Sequence, residues 1–191
     1  MSFSIPRFLR SSAYRRVAFL FMSCLAAASA SAQNCGSWTS YPAPPMRANY
    51  GFAYDSDRNV AVMFGGYMVW GGGSYGADTW EWDGATWSLK ANTGPAAREY
   101  MMMAFDPLAH KIVAFGGYTA GGPDAQTWLW DGSAWAPANP QHNPQPRSLS
   151  AMGYVSGEAS VRGVYLFGGD RGAFDPRMGN DVWRWDGTDW E

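Results

Sequence analysis

The chain has 191 residues with 14 basic and 16 acidic side chains, a net charge of −2, and 47% hydrophobic and 16% aromatic content. Arg7, Arg10, Arg15 and Arg16 all fall in the first 32 residues, so residues 33–191 carry ten basic against sixteen acidic side chains, a net −6. That balance provides no basic stripe for a polyanion and disfavours nucleic acid as a partner. The apolar and aromatic content is that of a folded chain rather than a solvated, disordered one.

Residues 1–32 read as an export signal. The arginines form a basic region free of acids, Val17–Ala28 is an apolar core, and Ala30-Ser31-Ala32 is a small-residue cleavage site before Gln33. An apolar run of about twelve residues is too short for a membrane-spanning helix, so the mature chain is expected to have no transmembrane segment. Its expected location is secreted, periplasmic or at the cell surface. Cleavage would remove Cys24 and leave Cys35 as the single cysteine. An odd cysteine in an exported chain suggests a disulfide partner beyond Glu191, with a free thiol as the alternative.

From Pro45 onward one pattern is written three times, in units 45–93, 94–142 and 143–191. Each unit opens on a proline followed within three residues by Arg47, Arg98 or Arg147. The first unit predicts strand one over Asn49–Tyr54, a turn at Asp55-Ser56-Asp57, and strand two over Val60–Phe64. Strand two is apolar at consecutive positions, as suits a strand covered on both faces. It closes on Phe64-Gly65-Gly66, as the later copies close on Phe115-Gly116-Gly117 and Phe167-Gly168-Gly169. Strand three carries Trp80 and Trp82 on one face; the residue between them is Glu81, Leu129 or Arg184 in the three copies, so the opposite face is expected to be loosely specified. Asp83-Gly84 marks a tight turn, and strand four starts at Trp87.

Nine of the eleven tryptophans occupy this repeat, as Trp80, Trp82 and Trp87 and their counterparts Trp128, Trp130, Trp135, Trp183, Trp185 and Trp190. A bulky aromatic at a fixed register fills the same kind of gap in every copy, so all nine are expected in the core between units, and Trp82→Ala is expected to cost about 3–5 kcal/mol. The recurring arginines are expected to donate structural hydrogen bonds to neighbouring loops.

The Gly-Gly doublets, 51 and 52 residues apart, with the aromatic strands that follow them, resemble kelch repeats, over about 150 residues. The turn between Trp82 and Trp87 is shorter than the family's usual stretch, a variant typified by Asp-Gly-x-x-Trp. The resemblance implies an all-β, kelch-type β-propeller with three four-stranded antiparallel blades visible. Three blades do not close a ring, so the expectation is part of a six- or seven-bladed propeller with further blades after Glu191. Residues 33–44, containing Cys35-Gly36-Ser37-Trp38, resemble a fourth strand without its own first three, and would close the last blade. Closure by two copies of a three-bladed chain is the alternative.

Chemistry is sparse. His110 lies in the turn between strands one and two of the second unit and His142 among prolines, without metal-ligand spacing. Asp55-Ser56-Asp57 begins like a calcium loop but lacks the glycine and terminal acid that complete one. Met101-Met102-Met103 alternates faces along a strand and reads as gap filling near the axis. Neither a metal nor a cofactor is expected, and no catalytic constellation stands out; copper-radical oxidases on this kind of propeller need a histidine, tyrosine and cysteine set that is not written here.

Function is expected on the loops after strand two, which share a rim with the links between units and differ in content. Tyr67, Trp70 and Tyr75 in the first, Tyr118 in the second, and Arg171, Phe174 and Arg177 in the third are the candidate binding residues. Exposed aromatics there can stack on a sugar or anchor a protein, although Trp70 could instead fold back as a lid. The expectation is therefore an exported, non-catalytic module binding a glycan or protein. The alternatives are a propeller enzyme with catalytic residues in further blades, and a structural repeat of a larger surface protein.

Overall fold

The structure is a computed structural model that describes residues 43–69, 72–173 and 177–191, all within the compact unit Tyr41–Glu191. The expected signal segment, Cys35, Trp38, Trp70 and Phe174 lie outside the described residues. Those described are all-β, without a helix, and every strand pairing is antiparallel.

The first unit holds β1 (Arg47–Ala48), β2 (Gly51–Asp55), β3 (Val60–Phe64), β4 (Tyr67–Met68), β5 (Ser74–Tyr75), β6 (Thr79–Trp82) and β7 (Trp87–Ala91). Its main sheet has the order β2-β3-β6-β7, and β1-β4-β5 form a small sheet at one end. The second unit repeats this with β8 (Met102–Asp106), β9 (Lys111–Phe115), the ribbon β10 (Tyr118–Thr119) and β11 (Gly122–Pro123), β12 (Thr127–Trp130) and β13 (Trp135–Ala138), in the order β8-β9-β12-β13. The third has β14 (Ala151–Val155), β15 (Gly163–Asp170) and β16 (Met178–Trp185) in that order, with Trp190 bridged to Trp185 at the fourth position.

Strand two of the first unit is Val60–Phe64 as the pattern predicts, and strand four starts at Trp87. Strand one starts two residues later than its periodicity suggests. Asn49 sits at φ 59°, and its counterparts Tyr100 and Leu149 at φ 54° and 58°. A left-handed residue interrupts the ladder there and lets the chain turn from the small end sheet into the main one. The segments after strand two are themselves paired rather than plain loops, as β4-β5 and β10-β11.

Side-chain alternation sorts each main sheet into two faces. Ala53, Val62 and Phe64 of the first sheet pack with Met103, Phe105, Ile112, Ala114 and Trp130 of the second. The second sheet's other face, with Ala104, Val113 and Phe115, packs with Val164, Leu166, Trp185 and Trp190 of the third. Met101 and Met103 join the first cluster and Met102 the second, so the methionine run fills both gaps.

Each junction is built alike. Trp135 meets the Phe64 ring edge-on at 5.5 Å and donates Nε1–H to Thr79 Oγ1 at 2.8 Å. Trp190 meets Phe115 at 5.4 Å and donates to Thr127 Oγ1 at 2.9 Å. Backbone bonds tie the same ends: Gly66 N–H donates to the Arg98 carbonyl at 2.9 Å, and Gly117 N–H to that of Arg147 at 3.0 Å. A Cβ on Gly65, already at φ +61°, would lie 2.6 Å from the Arg98 carbonyl oxygen, so the first glycine is required by both its backbone angle and the neighbouring unit's approach.

Four of the nine repeat tryptophans, Trp130, Trp135, Trp185 and Trp190, are buried; Trp80, Trp82, Trp87, Trp128 and Trp183 are half-buried. The expectation that all nine are core is corrected accordingly. The expectation that the position between the paired tryptophans is loosely specified fails at Glu81. This carboxylate is 4% exposed and accepts from Arg58 Nη1 at 2.7 Å and from Trp130 Nε1 at 3.0 Å.

Candidate functional site

The Pro-x-Arg turns carry the candidate rim. Arg47 donates to the carbonyls of Pro45 and Gly65 and bidentately to Asp78 at 2.6 and 2.8 Å. Arg98 donates to Ala96 and Gly116 carbonyls and pairs with Asp124 at 3.3 Å; Arg147 does so with Gln145, Gly168 and Asp181. Arg98 and Arg147 are fully buried. Three guanidinium groups thus lock the start of each unit to its own Gly-Gly bend, and the geometry is structural as the repeat suggests.

The residue after each arginine pairs with the residue after each Gly-Gly doublet: Ala48 with Tyr67, Glu99 with Tyr118, and Ser148 with Asp170. The rim therefore presents Tyr67, Tyr118 and Asp170 at equivalent positions. Tyr67 and Tyr75 face each other across β4-β5 with ring centroids 5.9 Å apart. Gly73, at φ +71°, lies under the Tyr67 ring where a Cβ would collide with the hydroxyl, which accounts for glycine in that loop. Glu99 accepts from Asn49 Nδ2 at 2.7 Å, joining the first two units across the rim.

These groups sense one another. The Tyr75 phenol is raised above its ordinary value, first by partial desolvation and then by the negative charge of Glu99, with Tyr118, Tyr67 and Tyr100 adding to it. Arg177 is raised chiefly by its hydrogen bonds to Asp170, at 2.6 Å for Nη2, with a contribution from Tyr118. Tyr67, Tyr118 and Asp170, to which Arg177 is bonded, hold equivalent rim positions, with Tyr75 facing Tyr67 and Glu99 paired to Tyr118.

Arg171 is placed differently from a ligand-contacting loop residue. It is 8% exposed and pairs with Asp181 at 2.7 Å, beside Arg147 on the same carboxylate. Arg147 first, and then Trp183 and Arg171, hold the Asp181 carboxyl far below its usual range against the opposing effect of burial.

Beside this rim, where the first strands begin, lies a depression of about 440 Å³ lined by Tyr50, Phe52, Tyr100, Met101, Met102, Met103, Leu149, Ser150 and Met152. Its aromatic and thioether wall offers stacking and dispersion surface. Glu99, Tyr50 and Tyr100 were not singled out by sequence reasoning. The signal for them was present: Asn49, Tyr100 and Leu149 hold the same register before strand one, and Tyr50 and Glu99 adjoin that position.

The histidines sit in exposed pairs, His110 with Asp57 and His142 with Asp189. Asp55 and Asp106 cap the turns after strand one with backbone N–H bonds at 3.0 and 2.9 Å, and Asp55 also accepts from Arg58 at 2.8 Å. Asp83, Asp131 and Asp186 do the same in the Asp-Gly turns, each accepting at 2.8 Å from the residue two positions on. Among the described residues no three His, Cys, Asp or Glu side chains gather as a metal cluster. No family model matches this chain, and no curated protein matches it.

Proposed function

We propose that the chain is a set of kelch-type propeller blades that, once exported, works as a binding module for a glycan or protein through the rim that carries Tyr67, Tyr75 and Tyr118. The main observation behind this reading is the cross-strand pair of Tyr67 and Tyr75 at 5.9 Å, with Tyr118, paired to Glu99, and Asp170, bonded to Arg177, at the positions equivalent to Tyr67. Tyr67 and Tyr118 are exposed and Tyr75 half-buried, and tyrosines give broad faces at low entropic cost and hydroxyls for hydrogen bonding. Glu99 supplies an acceptor for sugar hydroxyls or a partner's amine. The repeat of four-stranded sheets, the Arg clamps and the tryptophan junctions support the propeller reading, because radial packing covers both faces of such sheets.

Glycan-array screening of the chain, followed by Tyr75→Ala and Tyr118→Ala, tests it. The expected result is a glycan hit weakened at least about tenfold by either change, the loss of one stacking contact at roughly 1.4 kcal/mol per decade, with unaltered thermal unfolding. Retained binding in both variants would remove the rim from consideration. A protein ligand that depends on the same tyrosines would select the other arm of the proposal.

A further inference from the structure

Four carboxylates near the rim are met by a guanidinium and one is not. Asp78 pairs with Arg47, Asp124 with Arg98, Asp170 with Arg177, and Asp181 with Arg147 and Arg171. Glu99 is half-buried and accepts from the neutral Asn49 amide at 2.7 Å, and among the described residues no cation pairs with it. The repeat does not require this carboxylate. Its counterparts Ala48 and Ser148 make the same backbone pairing, to Tyr67 and Asp170, that Glu99 makes to Tyr118. Alanine or serine therefore serves the frame equally well, and the charge is an addition made at the middle unit.

Its position follows from the bonds around it. The Glu99 backbone exchanges hydrogen bonds with Tyr118 at 3.0 and 2.7 Å. Its side chain crosses to Asn49 of the first unit, the residue after Ala48, which is paired to Tyr67. Asn49 is held there by its own backbone, at φ 59°, with its carbonyl accepting from Tyr100 N–H at 2.6 Å. The carboxylate thus bridges the step from the Tyr67–Tyr75 pair to Tyr118. The Tyr75 phenol senses it, second only to its own desolvation.

We infer that this step of the rim binds a basic peptide segment, one arginine of which sets its guanidinium against Glu99 between the tyrosines of the first and second units. The inference rests on the rim reading above and specifies its ligand. A carboxylate held by a neutral amide keeps its full charge and an oxygen for a charged donor. Tyrosine faces attract cations, and guanidinium, being weakly hydrated and planar, stacks on them more readily than ammonium. A neutral sugar would bury the Glu99 charge without compensating it. Arg177 does not compete for the carboxylate, because Asp170 holds it. Aromatic positions recur on both sides of the charge, so residues flanking the arginine in an extended segment also meet rings. The net negative charge of residues 33–191 favours the approach of such a segment.

Fluorescence anisotropy with two labelled peptides, glycine alternating with arginine in one and with glutamate in the other, tests it. The chain is expected to bind the arginine peptide and not the glutamate peptide. Glu99→Gln keeps an acceptor for the Asn49 amide and removes the charge, and is expected to weaken binding at least about tenfold, the loss of one charge-assisted pair. Glu99→Ala, the residue the first unit carries at this position, replaces it should the glutamine variant fail to fold, as judged by thermal unfolding. Asp57→Asn removes the same charge at the far end of β2 and is expected to bind as the parent chain does. Equal weakening by both changes marks general charge attraction and overturns the inference. So does an arginine peptide that fails to bind, or one whose binding Glu99→Gln leaves intact. Neutral glycans that bind through Tyr75 and Tyr118 while the arginine peptide does not would overturn this inference alone and leave the rim reading standing.

Discussion

The two junctions between sheets share a frame and differ in one polar cluster. Both seat a tryptophan on a phenylalanine edge and fasten its indole to a threonine. In the first, Trp130 Nε1 donates to Glu81, whose charge is met by Arg58, which also reaches Asp55, and by Lys90 at 3.7 Å. In the second, Leu129 takes the place of Glu81 and Ala109 that of Arg58, and Trp185 Nε1 has no hydrogen-bond partner. A buried donor left in this way costs about 1–3 kcal/mol. A buried carboxylate carries its own desolvation cost unless it is paired and hydrogen-bonded. Apolar packing and the Trp–Thr bond therefore define the junction, while the polar cluster is a local elaboration that requires all its members together.

The largest effect tests the frame. Trp130→Ala removes a fully buried indole and is expected to cost about 3–5 kcal/mol, read from denaturant unfolding. Trp82, at the same register but half-buried, is expected to cost only about 2 kcal/mol, in line with its smaller loss of buried area. The structure thus lowers the larger value the repeat suggests for that residue. Equal costs would mean that the register, rather than the buried area, sets what each tryptophan contributes.

A smaller effect tests the elaboration. Leu129→Glu alone buries an uncompensated charge and destabilises. Adding Ala109→Arg recreates the Asp–Arg–Glu–Trp arrangement and is expected to recover about 1–2 kcal/mol as a coupling term in a double-mutant cycle. Strictly additive changes would show that the first junction's cluster does not act as a unit.

The smallest effect concerns acid. The Asp181 carboxyl lies below its unfolded value, held there first by Arg147. Its contribution is fully present above the unfolded carboxylate range, around pH 4, and declines as pH falls through the folded value. Asp181→Asn should therefore flatten the acid side of the stability profile and leave the neutral-to-alkaline side parallel to that of the parent chain. An unchanged acid limb would show that the clamp contributes through geometry rather than charge.

Much of the local structure was legible beforehand. Val60–Phe64, the Asp83-Gly84 turn and the start of β7 at Trp87 follow from periodicity and turn chemistry, which are properties of neighbouring residues. Asparagine is among the few non-glycine residues that favour a positive φ, as at Asn49, but the equivalent Tyr100 and Leu149 were not legible, because their side chains carry no such preference. At the candidate site, sequence comparison between copies pointed to the rim and to Tyr67, Tyr75, Tyr118 and Arg177. It could not tell that Arg171 folds inward onto Asp181, since arginine serves equally as a surface cation and a buried clamp.

The sequence by itself determined the all-β class, the threefold repeat and the strand-turn alternation, because hydrophobic period and glycine placement act over a few residues. Only the tertiary structure decided which tryptophans are buried, that Glu81 is a shared junction acceptor, and which faces remain exposed. Those outcomes depend on what a neighbouring sheet brings within a few ångströms, and residues some 50 positions apart supply it: Thr79 to Trp135, Glu81 to Trp130 and Asn49 to Glu99.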